Sequence, residues 1–274
     1  MAREWVSVRV ERSTNRAGVI NALFRAGSTG IHEDGQAIVT HFPHGTSVDG
    51  LRSSIAVADP DAAVVTGEAP EADWSAWRAS VGSHHVGRLT VAPPHLASAT
   101  DAASTIIIEP AMAFGTGEHE TTRGVIRLMQ RIPSMSGFVA DLGAGSAILS
   151  IAAAMLGASR VAAVELDPDA IGNALENIAT NDVSDRVHVI EGDAASILPL
   201  LAPVDIVFAN IVSSVLIELL PVIASAVGSG GHVILSGILA EERSMMLGVI
   251  GSSEWSVRDE DAEGAWWSVL LERL

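Results

Sequence analysis

The residues best suited to chemistry stand between positions 138 and 167. An apolar run, Phe138-Val139-Ala140, reaches Asp141, and a glycine turn follows at Gly143-Ala144-Gly145. An alanine-rich stretch from about Ser146 to Leu156 has helical character, and a second apolar run, Arg160 to Val164, ends on Glu165. The pattern is strand, turn, helix, strand, with an acid at the end of each strand. Glycine at 143 and 145 lets the backbone pass close to a ligand where a Cβ would collide. The helix start offers N–H groups without an intrahelical partner. Glu165 lies 22 residues beyond Gly143, where an acid accepts both hydroxyls of a ribose.

A dinucleotide fingerprint would read G-x-G-x-x-G, but here Ile148 holds the place of the third glycine. Asp141 just before the turn would repel a pyrophosphate and would welcome a cation, such as the amino group of a methionine-like moiety. The motif therefore reads as an S-adenosylmethionine site rather than a nicotinamide site. Two more strand ends carry polar groups. Asp193, after Gly192, suits the exocyclic amine of adenine, and Asn210 suits a reaction centre because its amide both donates and accepts. Upstream, Glu109 to Thr122 is dense in glycine and hydroxyl groups and carries His119. It precedes a helix over Arg123 to Met129, which Thr121 or Thr122 would cap. Strand ends of an open sheet form a crevice, and this loop is placed to cover it.

The elements that position these groups follow from periodicity. After Glu165 the chain alternates: helix over Ala170 to Ala179 with Pro168 at its start, strand Arg186 to Ile190, strand Val204 to Ala209, and helix Val215 to Val227, which Pro221 kinks or restarts. A strand from His232 to Leu235, a helix over 240–250 and an antiparallel pair, Trp255 to Arg258 and Trp266 to Leu271, complete it. The expectation is an α/β fold: a doubly wound, mostly parallel, seven-stranded Rossmann-like sheet with an antiparallel finish. The first 68 residues read differently. Alternation over residues 4–11, helical spacing from Asn15 to Ala26, a strand within 31–42, a weak helix from Ser47 to Val57 and a strand from Ala62 to Thr66 are compatible with a β-α-β-β-α-β order. That is a small α+β, ferredoxin-like domain. Residues 69–88 read as a linker entering a helix with Asp73 as N-cap and Trp74 and Trp77 packing on one face; residues 89–274 form the larger domain, with strands at Leu89 to Ala92 and Thr105 to Ile108.

Composition narrows the partners. With 33 acids against 16 Lys and Arg, the formal net charge is −17. A nucleic-acid backbone is a poor main partner for such a surface, whereas a basic protein would be steered toward it. The chain has no cysteine, so disulfides and thiolate chemistry are excluded. His32, His41 and His44 do not share a metal-like spacing, and no metal site is expected. No signal-like segment or membrane-length apolar run is visible, giving the expectation of a cytoplasmic protein.

The run Ala113-Phe114-Gly115-Thr116-Gly117-Glu118-His119-Glu120-Thr121-Thr122 closely resembles the signature loop of the PrmA family, the bacterial methyltransferases of the large-subunit ribosomal protein L11. Asp141 to Leu149, Ala209-Asn210-Ile211, Leu235 to Leu239 and Glu263-Gly264-Ala265-Trp266-Trp267 agree with it. The resemblance implies S-adenosyl-L-methionine-dependent methylation of protein amines. It implies cofactor contacts from Thr122, Gly143, Glu165 and Asn210, with Thr116 and His119 in a loop that closes over the cofactor. It also implies a small domain that recognises the protein substrate. With the strand-end reading, the candidate cofactor set is Thr116, Thr122, Asp141, Gly143, Gly145, Glu165, Asp193 and Asn210; the candidate catalytic pair is Asn210 and His119. Three departures stand out: Ala147 replaces the usual third glycine, Glu165 stands where aspartate is common, and Ile-Val-Ser-Ser-Val-Leu follows Asn210 in place of a proline-containing run. Rival readings are a methyltransferase for another protein or a small molecule, a nucleotide-binding oxidoreductase, and a non-catalytic cofactor-binding protein.

Overall fold

The structure, a computed structural model, describes residues 5–28, 31–34, 36–43, 45–68, 81–111, 114–251 and 254–274. His44, Asp73, Trp74 and Trp77 lie outside them. Contacts divide the chain into two compact units, residues 1–77 and 78–274.

The first unit runs β1 (Trp5–Glu11), α1 (Arg16–Arg25), β2 (Ile31–Asp34), β3 (Ala37–Pro43), α2 (Val48–Ala58), β4 (Ala63–Glu68). Its antiparallel sheet has the order β2-β3-β1-β4. Residues 31–42, read as holding one strand, form two. Alternation sends Val8, Val10, Ile38 and Phe42 inward, and Val19, Leu23, Leu51 and Ile55 of the helices are likewise buried. Asn15 caps α1 by accepting from the Gly18 N–H, and Ser47 caps α2 by accepting from Gly50. Asp59, 1 % exposed, ties the end of α2 to the start of α1: it accepts from Ser13 Oγ, both the N–H and Oγ1 of Thr14, and the N–H groups of Asn15 and Asp61.

The second unit opens with a small sheet, β5 (His84–Val86), β6 (Leu89–Ala92) and, after a short α3 (Pro94–Ala97), β7 (Thr105–Ile107). Then come α4 (Glu120–Met129), β8 (Phe138–Leu142), α5 (Ile148–Met155), β9 (Arg160–Glu165), α6 (Pro168–Thr180), β10 (Val187–Glu191), α7 (Ala194–Leu201), β11 (Val204–Asn210), α8 (Ser213–Ala226), β12 (Val227–Leu239), α9 (Arg243–Ile250), β13 (Trp255–Glu263) and β14 (Trp266–Arg273). The seven-stranded sheet has the order β10-β9-β8-β11-β12-β14-β13. Its first five strands are parallel, and β14 runs antiparallel between β12 and β13. The central strands are apolar throughout because both faces are covered. Val139, Val161 and Phe208 pack in one core with Ile148, Ile151 and Ala152, whereas Ala140, Leu142, Val207 and Ala209 pack in the other with Leu216, Leu219 and Ile223.

Several boundaries differ from expectation. Helix α5 begins at Ile148 rather than about Ser146, because Ala147 takes a left-handed φ of 64°. Helix α8 runs through Pro221 without restarting. Strand β12 begins at Val227, not His232, so Gly228, Gly230 and Gly231 lie within the extended chain. Among the described residues no helix is long and apolar enough to cross a membrane.

Candidate functional site

Strand order reverses between β8 and β11: β9 and β10 build outward from β8, while β12 builds outward from β11. Open α/β sheets bind ligands at this switch point, outside the carboxyl ends of the strands. Here the turns after β8 and β11 nearly touch. A Cβ on Gly143 would stand 3.2 Å from Ile211, and one on Gly237 of β12 would stand 2.6 Å from the Ile211 carbonyl oxygen. Gly143, at φ 72°, is exposed, and its N–H and that of Ala144 both donate to the Val164 carbonyl. The glycine turn is thus bolted to β9 while keeping one open side.

The two acids flanking the turn have different surroundings. Glu165 is half-buried; one oxygen accepts from the Gly145 N–H at 2.7 Å and the other from the Asp167 N–H at 2.8 Å. A carboxylate has about four acceptor sites, so Glu165 shapes the turn and retains capacity for ribose hydroxyls. Asp141 departs from its expected place. It is not the terminal residue of β8; strand alternation points it toward α5, where it is fully buried and accepts from Ser150 Oγ at 2.6 Å. Its Oδ1 has no partner among the described residues. Burial pushes its pKa up to about 7; the Ser150 hydroxyl opposes the rise and the negative charge of Glu165 adds to it. Asp141 is thus packed against α5 and presents no exposed carboxylate.

The signature loop lies on the glycine turn. The Ser146 N–H donates to the Phe114 carbonyl at 2.9 Å, and Ser146 Oγ donates to the Gly115 carbonyl at 2.6 Å. A Cβ on Gly145 would meet the Phe114 carbonyl oxygen at 2.5 Å, and one on Gly117 would meet Val91 at 2.5 Å. These glycines are required by close approach as much as by their positive φ. Helix α4 starts at Glu120, and its cap is His119, not Thr121 or Thr122. The Nδ1 of His119 accepts from the Thr121 N–H at 3.3 Å and pairs with Thr121 Oγ1 at 2.8 Å. The imidazole lies edge-on to Phe114 and Trp266. His119 holds a structural post at the loop's end, and Thr116 is half-buried in the loop.

Two polar groups face this region without a hydrogen bond. The Thr122 hydroxyl is 1 % exposed and its Oγ1 has no partner among the described residues; leaving such a group unpaired costs roughly 1–3 kcal/mol. The half-buried Asn210, last residue of β11, has a side-chain amide with no bond to any described residue. A donor-and-acceptor pair at the end of a central strand, an orphaned hydroxyl and a glycine turn of positive φ fit a polar cofactor. Asp193 is engaged differently: exposed, it caps α7 by accepting from the N–H and Oγ of Ser196 at 3.1 and 2.9 Å.

Two side-chain ladders escaped the sequence reading. Asn173 and Asn177 of α6 and its C-cap Asn181, four apart, line the open edge of β7 and its continuation. Asn181 bonds both the N–H and the carbonyl of Ile107, Asn177 accepts from the Glu109 N–H and donates to the Ser146 carbonyl, and Asn173 donates to the Glu109 carbonyl. These amides substitute for a neighbouring strand and lock the entry of the signature loop to the glycine turn. Arg123 and Arg127 of α4, and Arg131 in the turn just beyond it, pair with Glu263, Asp261 and Asp259 of the edge strand β13, each at 2.6 Å. Four helical residues rise about 6 Å and two strand residues about 6.6 Å, so the two repeats stay in step. The arginines hold Glu263 and Asp259 below the usual carboxylate range, chiefly through Arg123 and Arg131. A spacing of four in one segment and two in another was the signal available.

Together the fold and this arrangement of residues define a class: a doubly wound α/β methyltransferase domain. The chain belongs to the PrmA family, the ribosomal protein L11 methyltransferases, whose family model matches residues 5–273. A ribosomal protein L11 methyltransferase of Pelobacter propionicus is 36 % identical over 209 residues, 73 % of this chain and 67 % of that protein. One of Myxococcus xanthus is 34 % identical over 246 residues, covering 87 % and 83 % respectively. The crystal structure of a ribosomal protein L11 methylase from Lactobacillus delbrueckii subsp. bulgaricus superposes with a TM-score of 0.60 at 26 % identity, covering 70 % of this chain and 99 % of that one.

Proposed function

We propose that this methyltransferase uses S-adenosyl-L-methionine to methylate amine nitrogens of ribosomal protein L11, the substrate named for its relatives. The observation that carries the reading is the seating of the Phe114–His119 loop on the glycine turn at the β8/β11 switch point, with Glu165 on one side and the amide of Asn210 on the other. When bound, S-adenosyl-L-methionine supplies a methyl group already activated on a sulfonium. The chain's own residues bind and orient. Gly143 and Gly145 admit the ligand to the backbone, Glu165 accepts ribose hydroxyls, and Thr122 and Thr116 offer hydroxyls from the loop side. Asp193 stands at the end of β10 for the adenine amine, whereas Asp141 is packed against α5.

Asn210 holds the acceptor amine. Its side-chain carbonyl accepts from the amine N–H and aims the nitrogen lone pair, and such positioning supplies most of the rate in a direct transfer. A lysine ammonium has no lone pair, so its proton leaves before attack; a desolvated setting lowers the lysine pKa, and water takes the proton. His119 contributes by capping α4 and holding the loop. The acidic surface, net −17, favours a basic protein over nucleic acid and makes the encounter salt-sensitive. The N-terminal unit serves substrate recognition, and a ribosomal substrate places the work in the cytoplasm. Incubating the full chain and S-adenosyl-L-methionine with purified L11 and weighing the product tests the reading: L11 gains whole methyl increments. An L11 mass that stays unchanged rejects the assignment.

A further inference from the structure

The signature loop is held at two places, and only one belongs to the glycine turn. Its first half rests there, through the Phe114 and Gly115 carbonyls and Ser146. Its second half is held by the last two strands of the chain. Arg123 donates from Nη1 to the carbonyls of Gly117 and Glu118, and its Nε and Nη2 engage Glu263 at the end of β13. The guanidinium is therefore a bridge: one edge collects loop carbonyls, the other a carboxylate. Across the hairpin turn, the Trp266 ring meets the imidazole of His119 edge-on at 5.0 Å, and Phe114 meets the same imidazole at 5.2 Å. Gly264, at φ 59° in that turn, places a would-be Cβ 3.7 Å from Glu120 Oε1. The hairpin tip and the loop are thus in direct contact at the start of α4.

This hairpin does not line the switch point. Strands β14 and β13 occupy the far edge of the sheet, beyond β12. The Arg127–Asp261 and Arg131–Asp259 pairs account for fastening α4 to β13. Arg123 and Trp266 add something those rungs do not: contact with residues 117–119 themselves. Bidentate guanidinium–carboxylate pairs fix orientation as well as distance, and an edge-on aromatic pair constrains the tilt of the imidazole that caps α4.

We propose that Glu263 and Trp266, acting through Arg123 and His119, are positioning residues that hold the signature loop in the conformation that receives the methyl donor. The proposal rests on the reading of that loop as a border of the donor site. Holding the loop ready removes an ordering cost that would otherwise be met on binding, so loss of the clamp weakens the donor complex and spares the chemical step.

The test uses the full chain with Trp266→Ala, Trp266→Phe, Glu263→Gln and Arg123→Lys. S-adenosyl-L-methionine affinity is measured calorimetrically, kcat and donor KM with L11, and folding by thermal melting. Trp266→Ala raises donor Kd and KM about three- to tenfold, the scale of an aromatic pair, and Glu263→Gln raises them about tenfold, the low end for a hydrogen bond to a charged group. At saturating donor, kcat stays within about twofold, and Trp266→Phe restores most of the affinity. Should Trp266→Ala fail to fold, Glu263→Gln and Arg123→Lys carry the same comparison. Donor Kd unchanged in the variants, or lowered melting with Kd unmoved, overturns the proposal while leaving the donor site intact. Absence of donor binding by the wild type overturns both the clamp and the site beneath it.

Discussion

Asp59 and Asp141 are both nearly inaccessible, at 1 % and 0 % exposure, yet their surroundings push them in opposite directions. In the N-terminal unit, Asp59 accepts from two hydroxyls and three backbone N–H groups. Those donors, the Asn15 N–H foremost, hold its pKa down at about 2. In the second unit, Asp141 has one hydroxyl partner, an oxygen with none, and a pKa raised to about 7 by burial. The contrast extends beyond the pair. Unpartnered buried side-chain atoms among the described residues are His84 Nε2 on β5, Thr122 Oγ1 and Asp141 Oδ1, all in the second unit. Two of them border the glycine turn and the signature loop. The N-terminal unit uses its polar groups to close its own structure; the region around the switch point keeps polar capacity in hand, as ligand sites do at some cost in stability.

Removing capacity at the switch point should damage function far more than fold. Asn210→Ala lowers kcat about a hundredfold or more, the scale of a misplaced reactant, and leaves donor KM close to wild type. Equal losses in kcat and donor affinity would remove Asn210 from the amine-positioning role. The two aspartates supply the next largest effects, with opposite pH signs. The Asp59 pKa is depressed, so its stabilisation is present above about 3.8 and is lost as pH falls toward about 2. The Asp141 pKa is raised, so stability falls as pH climbs from about 3.8 through about 7. Melting curves from pH 4 to 8 should show Asp141→Asn gaining on wild type as pH rises, its amide still bonded to Ser150. A pH-independent difference would mean that Asp141 is already ionised within the fold. The smallest effect falls on Ala147, whose left-handed φ of 64° burdens a non-glycine residue. Ala147→Gly, restoring the glycine common in the family, relieves that strain but loses a buried methyl. The net gain is about 0.5 kcal/mol, read as a small rise in melting temperature.

Much of the second unit was legible because its signals are local. Apolar runs bounded by Asp141, Glu165 and Asn210 mark parallel strands whose ends must converge, and Gly143 and Gly145 mark the turn between them. What was hidden depended on partners distant in sequence or on the phase of a strand. Asp141 sits one residue short of the end of β8, and alternation turns it under α5. The hydroxyl rule for helix caps pointed to Thr121 or Thr122, but the loop ends at His119, whose Nδ1 serves equally as acceptor. The arginine ladder joins residues about 130 positions apart, and its partners emerge only when β13 is known to flank α4. The asparagines of α6 look like an ordinary polar face until β7 is seen to lack a neighbour on that side.

The central claim is that the glycine turn and Glu165 form the methyl-donor site. Calorimetric titration of S-adenosyl-L-methionine into the full chain and into Glu165→Ala tests it most directly. The account predicts saturable binding to the wild type and affinity at least about tenfold weaker in the variant, the loss of a charge-assisted hydrogen bond, with melting lowered by a few degrees for the two backbone N–H bonds that Glu165 also accepts. Indistinguishable affinities, or no heat from the wild type, would contradict it.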